Sequence, residues 1–184
     1  MRVLAMADTT PDLGRPIAEF VVRERIDVVI TAGDLSRYKL AGIEKVTVPT
    51  VGVYGNHCDG RYLAQLGITD LHLTSRRIGD LTFGGLQGCV RYKKRGADIL
   101  YTQAEYDSMV AQLPAVDVLV THCPPRGIND HDDPAHVGIA ALRLWVDRQK
   151  PKVLIHGHTY PERPVTACGP TRIEYVFGAR VITI

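Results

Sequence analysis

Short apolar runs recur along the chain, and each runs into a polar residue. Arg2 to Ala7 ends at Asp8, Ile26 to Thr31 leads into Ala32-Gly33-Asp34, and Thr50 to Tyr54 leads into Gly55-Asn56-His57. Further on, Val116 to Thr121 delivers His122, and Lys152 to Ile155 delivers His156-Gly157-His158. The runs are continuous rather than alternating, which predicts strands covered on both faces, as parallel strands are. Between them, Leu13 to Arg25 spaces Ile17, Phe20, Val21 and Val22 as a helix. Thr102 to Leu113 and Val137 to Gln149 also predict helices, the second stopped by Pro151. The tail predicts antiparallel strands at Val165 to Cys168, Thr171 to Val176 and Arg180 to Ile184, turned at Gly169-Pro170 and Gly178. Arg76 to Gly88 predicts another hairpin, turned at Gly79-Asp80. Parallel units with antiparallel ribbons predict an α/β fold of two packed sheets with helices outside.

Composition narrows the class. With 184 residues, at roughly 150 per domain, residues 1–184 are expected to form one domain. A hydrophobic share of 45% and a charged share of 23% suit a packed core. The net charge of +2 excludes a polybasic nucleic-acid or membrane binder. The apolar runs fall far short of the ~20 residues of a membrane span, and the stretch MRVLAMAD reaches Asp8 too soon for a signal peptide. Cys58, Cys89, Cys123 and Cys168 lie far apart with no CxxC pair. That argues against a zinc ribbon or a disulfide framework and suits a reducing, cytoplasmic setting.

The candidate chemistry sits at the strand ends. In open α/β sheets ligands bind at the carboxyl ends of strands, so Asp8, Asp34, Asn56, His57, His122 and His158 are expected to converge. A lone Gly-Asp or Asn-His after a strand is more often a turn former. Five such ends in series, each after its own buried run, are hard to assign to turns alone.

The motifs Asp8-Thr9-Thr10, Gly33-Asp34, Gly55-Asn56-His57-Cys58, Thr121-His122 and Gly157-His158-Thr159-Tyr160 follow the order DxH, GDxx, GNHD/E, lone His, GHxH. In this the chain resembles the calcineurin-like metallophosphoesterase family from residue 2 to about residue 160, and Thr121 to Gly127 resembles a bacterial cytosolic branch. The resemblance implies a two-sheet sandwich flanked by helices and hydrolysis of a phosphomonoester or phosphodiester. It implies two metals bridged by Asp34. One would take Asp34, Asn56, His122 and His158, all present. The other would take Asp8, Asp34 and two histidines, but Thr10 and Tyr160 stand in their places. The expectation is one strong site for Mn, Fe, Ni, Co or Zn, with the Asp8 side weaker. A bound ion lowers the pKa of its water and makes hydroxide available for attack on phosphorus. His57 resembles the family's catalytic histidine, assisting the leaving oxygen or the phosphoryl charge. The acid that usually follows it is replaced by Cys58, so the ring needs another partner. The rival class is a non-catalytic scaffold with this fold, for which the two lost histidines speak and a retained His57 speaks against.

Further candidates are Arg126, four residues after His122, as a phosphate clamp, and His136, facing substrate or replacing a ligand. Asp12 and Tyr160 are candidates to rescue the second ion, and Tyr38 is not. His156 is expected to orient a ligand. His131 is expected in solvent, and His72 has no evident partner. The run Arg91-Tyr92-Lys93-Lys94-Arg95 is placed to meet phosphate or a nucleic-acid backbone at the mouth of the site, or to be a solvated loop. The expected partner is a phosphoester substrate, with a nucleotide or nucleic acid among the options.

Overall fold

Strand β1 (Arg2–Ala7) turns Val3, Ala5 and Ala7 toward one core and Leu4 and Met6 toward another, all fully buried. That is the physical content of a continuous apolar run: both faces of the strand are covered. The computed structural model describes residues 1–94 and 96–184. After β1 come α1 (Ile17–Arg23), β2 (Val28–Ala32), β3 (Thr50–Val53), α2 (Tyr62–Gln65), β4 (Thr69–Asp70), β5 (Ser75–Ile78), β6 (Leu81–Leu86), β7 (Cys89–Val90) and β8 (Leu100–Tyr101). The second half holds α3 (Gln103–Val110), β9 (Val118–Thr121), α4 (Ala140–Gln149), β10 (Val153–His156), β11 (Val165–Cys168), β12 (Thr171–Tyr175) and β13 (Gly178–Thr183).

Two large sheets result. The first has the order β13-β1-β2-β3-β4 and the second β11-β12-β10-β9-β6-β5. β1, β2 and β3 run parallel, with Met6 opposite Thr31 and Ala32 opposite Val53. β6, β9 and β10 also run parallel, with Val120 opposite Gly85 and Ile155. Between the sheets lies an apolar core that includes Ala5, Ile30, Val53, Phe83, Val120 and Ile155. A second core covers the outer face of the first sheet, where Ile17 and Val21 of α1 meet Leu4, Met6 and Val29. A third covers the outer face of the second sheet, where Tyr106, Leu142 and Trp145 of α3 and α4 meet Leu119 and Leu154. This α/β sandwich of two sheets flanked by helices is the architecture the sequence predicts. No helix among the described residues is long and apolar enough to cross a membrane.

The differences from expectation have local causes. Helix α1 starts at Ile17 rather than Leu13, because Pro16 stands at its N-cap. Helix α4 starts at Ala140 rather than Val137, because Ile139 is committed elsewhere. Its N–H donates to the Pro124 carbonyl (3.0 Å), and its own carbonyl accepts from Arg126 N–H (3.1 Å). Helix α3 begins where expected, closed by a capping box between Thr102 and Glu105. The tail is the larger correction. β11 and β12 form the expected hairpin, but β13 does not pair with β12. Gly178, at φ 71°, sends the chain across to the first sheet. There β13 runs antiparallel to β1, from Gly178 opposite Ala7 to Thr183 opposite Arg2, and covers what would otherwise be an open edge.

Candidate metal centre

The carboxyl ends of β1, β2, β3, β9 and β10 bring their polar residues to one cavity. Asp8, Asp34, Asn56, His57 and His158 line it, and the fully buried His122 lies beneath, 2.9 Å from Asn56. Asp8 (φ 67°), Asp34 (φ 54°) and His158 (φ 70°) all adopt the left-handed backbone region. That is uncommon for residues other than glycine and concentrates at functional sites. The ends also approach closely. A Cβ at Gly33 would strike the His122 ring, and one at Gly55 would strike the Asp34 carboxylate. Gly33 further sits at φ 95°, so a side chain there is excluded twice over.

Hydrogen bonds set the direction of each imidazole. His122 Nδ1 lies 2.9 Å from the Ala32 carbonyl, which can only accept, so Nδ1 carries a proton. Nε2 then faces Asn56 Oδ1 at 2.9 Å and Asp34 Oδ2 at 3.5 Å. Three acceptor-type atoms aimed at one point need either a proton on Nε2 or a cation among them. Burial opposes a charge on the His122 ring, but Asp34, Asp8 and the Ala32 carbonyl outweigh it and hold its pKa above the ordinary value. Among the described residues the buried Asn56 Nδ2 has no hydrogen-bond partner, and the amide's oxygen is the end turned to His122. His158 Nε2 donates to the Ala135 carbonyl at 2.8 Å, which leaves Nδ1 with the lone pair. Burial and the neighbouring His122 lower the His158 pKa to about 3, so this ring is neutral, as a ligand must be.

The carboxylates differ. Burial resists ionisation of Asp34, but His122 and the His57 N–H, which donates to Oδ1 at 2.8 Å, outweigh it and bring the pKa to about 2. Burial instead raises the pKa of Asp8, whose oxygens accept from His158 N–H at 3.1 and 3.3 Å. Ligand atoms of Asp8, Asp34 and His122 all lie within 4.8 Å of one another. That cluster takes in Asp8 and leaves out His158, whose ring centre stands 5.0 Å from that of His122. By type, one carboxylate, one amide oxygen and two imidazoles are donors that a divalent transition ion takes.

On the Asp8 side the donor set is poorer. Thr10 is exposed, and Tyr160 lies 62% exposed at the cavity rim. Partial burial, with Asp8 and Asp34 nearby, raises the Tyr160 pKa and disfavours a phenolate. Asp12 does not swing in: its carboxylate accepts from Gly14 N–H at 3.3 Å and lines a different cavity with Leu13 and Phe20. Tyr38 is exposed and accepts from the Arg37 side chain.

His57 finds its ring partner outside its own motif. Nδ1 lies 3.6 Å from Asp98 Oδ1, and Asp98 is in turn held by Lys93. Cys58, where an acid usually stands, is buried with its sulfur accepting from Gly55 N–H at 3.1 Å. Burial pushes the Cys58 and Cys123 thiols up to about 12, so both are packing groups rather than redox sensors.

Two cavity residues carry no sequence signal. Lys39 Nζ donates to the carbonyls of Asp8 (2.6 Å) and Asp34 (2.9 Å), tying the ends of β1 and β2 together. Phe177 lines the rim from the crossover between the sheets. His136 lines the cavity as well. Its Nδ1 donates to Asp133 at 2.9 Å, and its ring centre is 5.2 Å from that of His158. Asp133 thus holds Nδ1 and sets the orientation of the ring.

Arg126 is a correction. It is not among the residues lining the cavity, and its guanidinium is engaged by Asp130 (2.8 Å) and Asp132 (2.9 Å), so its charge is met by its own loop. His156 is buried behind the site on Asn129 (2.9 Å) and the Gly157 carbonyl (2.9 Å), and burial lowers its pKa to about 4. His131 sits with its ring centre 6.0 Å from that of His136. His72 Nδ1 accepts from Gln87 N–H at 3.3 Å. Of the basic run, Tyr92 lines the cavity, Arg91 turns to the Leu100 carbonyl (2.6 Å) and Lys93 to Asp98. Arg95 lies outside the described residues.

A two-sheet sandwich with metal-type side chains at its strand ends defines an α/β class with a candidate metal centre between its sheets, and comparison with known proteins narrows it. The model of the calcineurin-like phosphoesterase superfamily domain matches residues 1–169, and the chain belongs to that superfamily. A comparison with curated proteins found no match. Among solved structures, TT1561 of Thermus thermophilus is similar at 14% identity, with a TM-score of 0.67 over 95% of this chain and 88% of its own. A further structure is similar at 16% identity, with a TM-score of 0.69 over 94% of this chain and 89% of its own. GAP50, described as the anchor in the inner membrane complex of Plasmodium, is similar at 12% identity, with a TM-score of 0.50 over 95% of this chain and 70% of its own. At these identities the likeness is one of fold.

Proposed function

We propose that this protein is a metal-dependent phosphoesterase acting on a phosphomonoester or phosphodiester. The observation that carries the proposal is that Asp34, Asn56, His57 and His158 line one cavity, with the buried His122 beneath it, 2.9 Å from Asn56 and 3.5 Å from Asp34. Asp34, Asn56, His122 and His158 would hold one ion strongly, and Asp8 would face a weaker second position. Mn, Fe, Ni, Co and Zn all suit the donors, and such an ion supplies charge for the phosphoryl oxygens and a more acidic water. The chain's own residues do the rest. His57, anchored through its N–H on Asp34 and paired with Asp98, is placed to protonate the leaving oxygen or to meet phosphoryl charge. His136, fixed by Asp133, presents a nitrogen to the substrate.

The test combines metal analysis of pure protein with assays on bis-p-nitrophenyl phosphate and p-nitrophenyl phosphate across Mn, Ni, Co, Zn and Mg. Turnover that depends on the added ion is expected. A rival reading, a non-catalytic interaction module, draws support from Thr10 and Tyr160 and from the anchor role named for GAP50. It gains if wild-type protein cleaves neither substrate with any of the ions.

The asymmetry of the centre has its own test. Titrated metal-free wild type is expected to take up one equivalent tightly, and the double change Thr10→His with Tyr160→His to add a second. Imidazole nitrogens supply much of the affinity for first-row ions, whereas a tyrosine must first lose a proton with an unperturbed pKa near ~10. Two like equivalents in wild type, or no gain in the double variant, would show the asymmetry argument to be wrong.

A further inference from the structure

Two large aromatic side chains stand in solvent at the edge of this otherwise charged cavity. Tyr160 is 62% exposed and Phe177 is 49% exposed, and both line the cavity with Asp8, Asp34 and His158. Their ring centres are 5.6 Å apart at 61°, an edge-to-face pair. The pair is held from two directions. Tyr160 follows His158 beyond β10, while Phe177 sits where the chain crosses from β12 to β13. The buried Tyr175 backs Tyr160 at 6.5 Å, and His136 flanks it at 6.4 Å. Apolar side chains scattered singly on a surface are ordinary; these two instead pack together at a cavity mouth, where a ligand entering the cavity would meet them.

The cavity is also larger than the chemistry needs. At about 580 Å³ it falls within the ~300–1,000 Å³ of small-molecule sites, far beyond the room one phosphoryl group takes. Its polar end offers histidines and carboxylates for a metal-held phosphoryl group. Its rim offers flat π-faces, which bind flat rings better than aliphatic chains. A small molecule joining both features is a nucleotide.

We propose that Tyr160 and Phe177 form a stacking ledge for a nucleobase, so that the phosphoester handled in the cavity is a nucleotide. The proposal rests on the cavity being a phosphoester site, and the test keeps the two separable. Calorimetry on manganese-loaded protein would compare adenosine 5′-methylenephosphonate, ribose 5-methylenephosphonate and benzylphosphonate, none of which has a cleavable ester. The adenosine compound is expected to bind about tenfold tighter than the ribose compound, within the usual range for stacking one base on an aromatic residue. Tyr160→Ala with Phe177→Ala is expected to abolish that preference while leaving the ribose compound's affinity unchanged. Tyr160→Phe is expected to keep it. The exposure of both side chains favours retention of the fold, which circular dichroism checks. Equal binding of the adenosine and ribose compounds, no measurable adenosine binding, or a preference that survives the double change overturns the ledge. Benzylphosphonate binding as tightly as the adenosine compound would overturn its assignment to a nucleobase. If the preference behaves as expected but no phosphoester is cleaved in the parallel assay, the ledge stands and the hydrolase reading falls. If bis-p-nitrophenyl phosphate is cleaved and no base preference exists, the reverse holds.

Discussion

Asp34→Asn is expected to weaken binding of a divalent ion by about 100-fold or more. Changes to groups one step removed from a metal typically cost 10–100-fold in affinity, and Asp34 is read as a direct donor. The asparagine keeps the side chain's volume and the oxygen that accepts from His57 N–H at 2.8 Å. What it removes is charge, and that charge is fully present, because the carboxyl pKa is held near about 2 despite its burial. The loss reaches His122 as well. Burial already opposes a positive ring there, and Asp34 is the chief group raising its pKa. Without that carboxylate the apo centre has less reason to hold a proton between His122 Nε2 and its neighbours. Calorimetric titration of metal-free protein reads the change directly. Wild-type affinity in Asp34→Asn would remove Asp34 from the donor set.

His57→Ala is expected to lower turnover of bis-p-nitrophenyl phosphate by about 10²–10⁴-fold, the usual worth of one positioned acid or base, with metal content unchanged. The ring makes no contact that would hold an ion. It reaches into the cavity with 59% of its side chain exposed, and its Nδ1 lies 3.6 Å from Asp98 Oδ1. Its backbone N–H, which steadies Asp34, survives in the alanine variant. Asp98→Asn is expected to cost less than His57→Ala, since Asp98 acts only by orienting the ring. Metal lost together with activity in His57→Ala would mean that the residue supports the centre rather than the chemistry. Full activity would deny it any part.

The parts of this arrangement legible in the sequence are those encoded in unbroken local patterns. A strand buried on both faces writes itself as Val28 to Ala32, and Gly33-Asp34 then marks where the chain turns into the site. Local periodicity overstates a helix where a backbone group has a tertiary partner, as at Ile139. It misplaces the tail because Gly178 permits a hairpin and a crossover alike, and only the open edge of β1 selects between them. Within the site, Asp98 and Lys39 are invisible in the sequence for a common reason. Each reaches in from an irregular loop, and Lys39 does so through carbonyl oxygens that every residue possesses. Arg126 misleads by proximity to His122, although Asp130 at the i+4 position stands in plain view to neutralise it.

The ligand-type residues do not all hang from one sheet. Asp8, Asp34 and Asn56 follow strands of the first, whereas His122 and His158 follow strands of the second. An ion gripped by both sets is a rivet through the seam of the sandwich, and its binding energy is at the same time folding energy. At 100 times its dissociation constant, a ligand of the native state alone adds about 2.7 kcal/mol. At ~2–4 °C per kcal/mol for a chain of this size, stripping the ion with a chelator is expected to lower the melting temperature by about 5–10 °C. Differential scanning calorimetry with and without chelator measures this, and an unchanged melting point would mean that nothing spans the seam. If the ion binds there as proposed, the fraction of molecules folded would follow its free concentration, and metal supply would act on the lifetime of the protein as well as on the proposed chemistry.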